Sequence, residues 1–237
     1  MRRFRPPSWA WLATLVCGGV FLAAGAWQLR RGAEKAELLQ SVRSAETAAP
    51  ERFSAPPPAR AVPRRITLEG VYDADHVLLL DNQTHAQKPG VRVWTPLRLA
   101  DGQRVMVDRG WTPLPYERAQ PPVNQLPPGM QTVSGLWRGL PEPALKLAGD
   151  PCAPASWPRL VQYPDAAALR CVLNGAVADG LLLLDPQWPG GYLREWRAAL
   201  SAVPPERHYA YAAQWFLFRI TLLVLFVKLN LKSHDPE

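Results

Sequence analysis

The segment RHYAYAAQWFLFRITLLVLFVKLN, residues 207–230, decides whether this chain is read as a soluble protein or a membrane protein. From about Tyr209 to Val227 its only polar side chains besides tyrosine hydroxyls are Gln214, Arg219 and Thr221, and Lys228 and Lys232 close it. A buried amphipathic core helix would accommodate Arg219. Against that alternative, YAYAAQWFLF before the arginine and ITLLVLFV after it are apolar on every face, which a surface helix is not. A helix of about 20 such residues crosses the ~30 Å hydrocarbon layer, so the segment reads as a membrane span.

A second span lies upstream. PPSWAWLATLVCGGVFLAAGAWQL, residues 6–29, carries no charge, and Trp9, Trp11 and Trp27 stand near its ends, where amphipathic rings prefer the headgroup zone. A cleaved signal peptide is the alternative, with Arg2, Arg3 and Arg5 as its basic start and Ala24-Gly25-Ala26 as its cleavage site. The apolar run exceeds the about 7–15 residues usual for such a peptide, which favours an anchor. Val16 before Cys17 argues against lipoprotein processing. Two spans place both termini on one side and the intervening residues on the other. Charge does not choose the side: Arg2, Arg3 and Arg5 face Arg30, Arg31 and Lys35, while Arg194, Arg197 and Arg207 outnumber Lys228 and Lys232.

The whole chain has 237 residues, a formal charge of +7 and a pI near 9.7. Its 27 basic residues are scattered, with no basic helix face and no aromatic platform among them, so nucleic-acid binding is excluded as a main function. The 26 prolines favour strands and loops over a helical bundle for the body.

RRGAEKAELLQSVRSAE extends the first span as an exposed helix, and AAPERFSAPPPARAVP, residues 48–63, is a Pro-rich connector. From Arg64 the period becomes two. RITLEGVYD places Ile66, Leu68, Gly70 and Tyr72 on one face, and HVLLLDN is a short apolar strand. In GVRVWTPLRLADGQRVMVDRGWTP, Asp101-Gly102 joins Val91, Val93, Thr95, Leu97 and Leu99 to Val105, Val107 and Arg109, the strongest hairpin signal in the chain. QTVSGLWRGL and GLLLLDPQW add strands, and PDAAALRCVL is a short helix with Asp165 near its start.

The expected fold class is therefore an α+β membrane protein. Two transmembrane helices flank a mostly antiparallel β domain, a partly closed barrel or sandwich, with one or two short helices. The boundaries are an N-terminus over 1–8, a first span over 9–29, a helical extension and connector over 30–63, a β-rich domain over 64–206, a second span over 207–227 and a tail over 228–237. Cys152 and Cys171 are the only cysteines of the body, and their spacing leaves both a disulfide and two buried thiols open. The absence of C-x-x-C argues against a copper chaperone, a thioredoxin-like reductase, a zinc module and covalent haem attachment.

Enzymatic motifs are missing as well: there is no G-x-S-x-G, no H-E-x-x-H and no phosphate loop. His76 and His85, with Asp73, Asp75 and Asp81, fit no ligand spacing and read as loop residues. Asp108-Arg109-Gly110-Trp111 reads as a structural arginine paired with an acid beside a packed tryptophan. The remaining polar exceptions lie in the second span. On a helix, His208, Tyr211, Trp215 and Arg219 share one stripe, with Arg219 about 16 Å below His208. An intramembrane charge costs about 2.5 kcal/mol or more and needs a partner. An interface role and a berth for a flat amphiphilic ligand, with the imidazole on its metal, are both open readings of that stripe.

GAWQLRR at the end of the first span, the hairpin ending VDRGWTP, LLLLDPQWPGG, and PPERHYAYAAQWFLF at the second span resemble the Surfeit-locus protein 1 family of cytochrome c oxidase assembly factors, over nearly the whole chain. The resemblance implies no enzyme. It implies a bacterial inner-membrane protein with cytoplasmic termini and a periplasmic domain, a chaperone that binds heme a transiently and helps insert it into the oxidase's catalytic subunit. Its partners would be that subunit, heme a synthase and the lipid bilayer. The heme-linked histidine maps onto His208, the one metal ligand expected. Tyr211 and Trp215 would pack on the ring, and Trp27-Gln28 maps onto the family's first-span motif. A two-span scaffold that binds an oxidase subunit without handling cofactor is the alternative. The chain departs from the family at Asp108, where Asn often precedes Arg-Gly, at Glu34, where Trp is expected before Lys, and at Arg219, which matches no family feature.

Overall fold

A computed structural model describes residues 3–58, 62–114, 126–141, 152–162, 164–189, 192–196 and 203–232. Arg2, Arg197 and part of the Pro-rich connector lie outside them. The chain divides into two units, one formed by residues 1–39 with 201–237 and the other by residues 40–200.

The first unit is an antiparallel helical hairpin. Helix α1 runs from Ser8 to Thr47, so the first span and its extension are one helix of 40 residues. Helix α3 covers Pro205–Asn230, with Pro204 as its extended cap and Pro at its first position, where a missing N–H costs nothing. Only 22% of the most apolar stretch of α1 and 11% of that of α3 is buried within the chain, unlike the mostly buried core helix of a soluble domain. Leu12, Leu15, Val20, Leu217, Ile220 and Leu229 point outward, and both helices are long and apolar enough to cross a membrane. At the end joining the chain termini, the two-residue strands β1 (Arg3–Phe4) and β10 (Leu231–Lys232) pair antiparallel, and Phe4, Trp11 and Phe226 pack edge-on.

The second unit is a barrel. Strands β3 (Arg64–Tyr72), β7 (Met130–Gly139), β9 (Val177–Leu184), β6 (Arg104–Pro113) and β5 (Lys88–Arg98) pair in that order, and a β3–β5 contact at Val71↔Arg98 closes the ring. All contacts of the ring are antiparallel except β6–β9. Closure answers the question the sequence left between barrel and sandwich. Strand β4 (Leu78–His85) pairs outward on β5, and β8 (Arg159–Val161) lies parallel to β4. Strand β2 (Glu51–Arg52) pairs with β3.

Two cores follow from this closure. Ile66, Leu68, Leu97, Val105, Val107, Val133, Leu182 and Leu184, drawn from all five ring strands, form the inner one. Leu78, Leu80, Trp94, Met106, Leu136 and Leu183 face outward and are covered by Leu169 and Leu173 around helix α2 (Ala166–Val172), by Trp196, and by Val42 and Ala45. Both faces of the hairpin are therefore buried. Asp165 caps α2 by accepting Ala168 N–H at 2.9 Å, and Cys152 is disulfide-bonded to Cys171 of that helix.

Candidate functional site

His208 lies in the first turn of α3, half-buried, and its Nδ1 is 2.8 Å from Oε1 of Gln28 on α1. An amide oxygen only accepts, so a neutral imidazole in this contact would donate from Nδ1 and keep its lone pair on Nε2. That tautomer offers Nε2 as a metal ligand with its orientation already set by a second residue.

The approach of the two helices has a cause in α1. Gly18, Gly25 and Gly32 recur at seven-residue spacing and face α3. A Cβ on Gly25 would stand 2.5 Å from the Phe216 ring, and one on Gly32 would stand 2.6 Å from Tyr209. Hydrogen side chains let the rings of α3 seat directly on the α1 backbone, as at small-residue membrane interfaces. Lower down, Phe21, Trp215 and Phe218 cluster with centroids 5.8–5.9 Å apart. Arg219 Nη1 donates to the Gly18 carbonyl at 2.5 Å, which gives the buried-depth arginine its polar contact within the hairpin. The sequence required a partner for that charge; a backbone carbonyl across the seam fills the role.

The structure thus brings Gln28 and His208 together and sets Trp215 against α1 through Phe21. It does not gather the other two predicted residues into this contact: Tyr211 is 51% exposed and Trp27 49% exposed on the outer surface. The seam residues Tyr209 and Phe216 were missed, although the glycine heptad was a readable signal for them.

The barrel holds a second polar group around the Asp108-Arg109-Gly110-Trp111 turn. Buried Asp108 accepts Arg92 Nε at 2.5 Å and its own turn's Gly110 N–H at 2.9 Å. Gly110 has φ +119°, and a Cβ there would meet Leu193 O at 2.7 Å. The missing side chain lets residues 192–194 lie against the strand, with Trp111 and Leu193 exchanging backbone hydrogen bonds of 2.8 and 2.9 Å. Arg109 sits 5.0 Å over the Tyr192 ring, and Trp111 Nε1 donates to Gln83 O at 3.0 Å. Burial pushes the Tyr72 phenol up to about 12, with Arg109 and Arg194 opposing in part. Burial also lowers Arg109, Arg138 and Arg194. The packed tryptophan is present as expected, and Asp108 bonds Arg92 of the neighbouring strand. The region is a structural joint.

His76 Nδ1 bonds Asp73 at 2.8 Å, and His85 packs on Trp111 at 5.2 Å. No cluster of three or more His, Cys, Asp or Glu that could hold a metal occurs among the described residues.

The sequence model of the SURF1 family matches residues 15–220, from within α1 to the middle of α3. No curated protein matches the chain.

Proposed function

The chain belongs to the SURF1 family, whose members act in cytochrome oxidase assembly, and on that premise we propose that it binds heme a at the head of its helical hairpin and hands it to the catalytic subunit of the oxidase. The observation that carries this reading is the half-buried His208, whose Nδ1 is engaged by Gln28 and whose Nε2 takes no part in that contact. Nε2 would serve as one axial ligand on the iron. A single protein ligand suits a cargo that must leave again, since a fully enclosed group with two strong ligands would be slow to release.

Trp215 and Tyr211 follow His208 on α3 by seven and three positions, and Trp27 is next to Gln28 on α1. Their rings offer apolar surface to a porphyrin lying at the membrane boundary, where an amphiphilic macrocycle sits with its carboxylates toward water. The chain's own contribution is location, ligand and orientation; redox chemistry belongs to the cofactor.

The Cys152–Cys171 bond supports a domain in an oxidising compartment, consistent with a bacterial inner-membrane protein whose body faces the periplasm. Reporter fusions after Met130 and after the last residue should then report opposite sides of the membrane.

Complementation of a strain lacking this protein tests the role. Wild type should restore heme a absorbance in the assembled oxidase, and His208→Ala should leave it low at equal protein level. Full restoration by His208→Ala would favour a scaffold that binds an oxidase subunit without handling cofactor.

A further inference from the structure

We propose that Gln28 is a positioning residue for His208: its side-chain oxygen holds the imidazole in the Nδ1–H tautomer and so presents Nε2 as the coordinating atom. This deepens the cofactor reading and rests on it for its purpose, but the tautomer itself is a property of the cargo-free protein.

Three observations converge on Gln28. Its Oε1 lies 2.8 Å from His208 Nδ1, across a gap of 180 residues in sequence, so the contact exists only because the hairpin forms. Gly25 and Gly32 flank Gln28 by three and four positions and therefore share its helix face. At both glycines the aromatic rings of α3 already occupy the space a side chain would need, Phe216 at 2.5 Å and Tyr209 at 2.6 Å from the missing Cβ. The helices thus close on each side of Gln28, and its side chain is set opposite the first turn of α3.

The choice of an amide has a chemical reason. The histidine side chain free in water favours the proton on Nε2, which would leave the wrong nitrogen, Nδ1, as the acceptor. A carbonyl oxygen at Nδ1 reverses that preference without adding charge at the membrane boundary. An aspartate or glutamate would fix the same tautomer but would add a negative charge to the contact, and leucine would fix neither tautomer.

The test uses full-length protein in detergent, free of heme, with 15N-labelled histidine, at a pH where imidazole is neutral. Long-range proton–nitrogen correlations distinguish the two tautomers, and His208→Ala identifies the resonances among the 4 histidines. Wild type should carry the His208 proton on Nδ1. Gln28→Leu should shift it toward Nε2, and Gln28→Glu should keep it on Nδ1. A wild-type Nε2–H tautomer, or one that ignores Gln28→Leu, overturns the proposal.

Heme a titration of the same samples gives the second readout. Gln28→Leu should weaken binding about 10- to 100-fold, the usual effect of removing a residue that orients a metal-bound histidine, with Gln28→Glu recovering most of it. If no sample binds heme a while the tautomer still follows Gln28, the positioning role stands and the cofactor reading falls. If Gln28→Leu binds as tightly as wild type, the positioning role falls and the cofactor reading stands.

Discussion

Removing the Asp108 carboxylate should be among the most damaging single changes in the barrel. The side chain of Asp108 is 1% exposed and that of its partner Arg92 is 12% exposed, so neither can turn to water when the other is lost. Asp108→Ala takes away the 2.5 Å bond to Arg92 and the 2.9 Å bond to Gly110 N–H together. It also strips a favourable charge from Arg138, which responds electrostatically to Asp108. Breaking a buried pair from one side costs about 3–5 kcal/mol, largely because the surviving charge stays buried. At about 2–4 °C per kcal/mol for a domain of this size, the melting midpoint should fall by about 6–20 °C. Calorimetry or near-ultraviolet circular dichroism of the detergent-solubilised full chain reads it. Replacing both members, as Arg92→Leu with Asp108→Leu, should recover more than half of the loss, because no unpaired charge remains. A midpoint that moves by less than about 2 °C in Asp108→Ala, or a double variant as unstable as the summed singles, refutes the reasoning.

Gly25→Leu should force Phe216 off the α1 backbone and loosen the hairpin by about 1–3 kcal/mol, read as a longer distance between spin labels on α1 and α3; an unchanged distance contradicts the seam. Tyr72 should titrate near 12 instead of 10, so the preference for its neutral phenol holds below pH about 10 and is lost as pH rises toward 12. The tyrosinate absorbance band should lose its latest-titrating component in Tyr72→Phe. Because the buried Tyr72 hydroxyl has no hydrogen-bond partner among the described residues, that variant should be as stable as wild type or more so, and a loss above about 1 kcal/mol contradicts the burial argument. Replacing Cys152 and Cys171 by serine should cost about 3 kcal/mol, the loop-closure value for a bridge of this span.

What the residues disclosed in advance follows from which signals are local. The two long apolar helices, the Asp101-Gly102 hairpin and the Asp165 cap are written in runs of neighbouring residues, and all three appear in the structure. The closure of the ring was not legible, because it depends on a few contacts between β3 and β5 that no local pattern records. Strand β8, only 3 residues long, has no period to detect. Trp94 and Met106 interrupt the alternation and face a second core built by α2.

At the site the same division holds. His208 and Gln28 could each be marked as an odd residue in an apolar run, but their pairing requires the register between helices 180 positions apart. That register is set by Gly18, Gly25 and Gly32, whose seven-residue recurrence is present in the sequence and easily passed over when glycines are read only as turn formers. Helical spacing put Tyr211 on the stripe with His208, and in the structure it is 51% exposed.

The central claim is that this hairpin head carries heme a through His208. The decisive measurement is the pyridine hemochrome spectrum of protein purified in detergent from cells that make heme a, with His208→Ala beside it. The account predicts heme a approaching one per chain in wild type and near none in the variant. Wild type without heme a, or equal occupancy in both proteins, contradicts it.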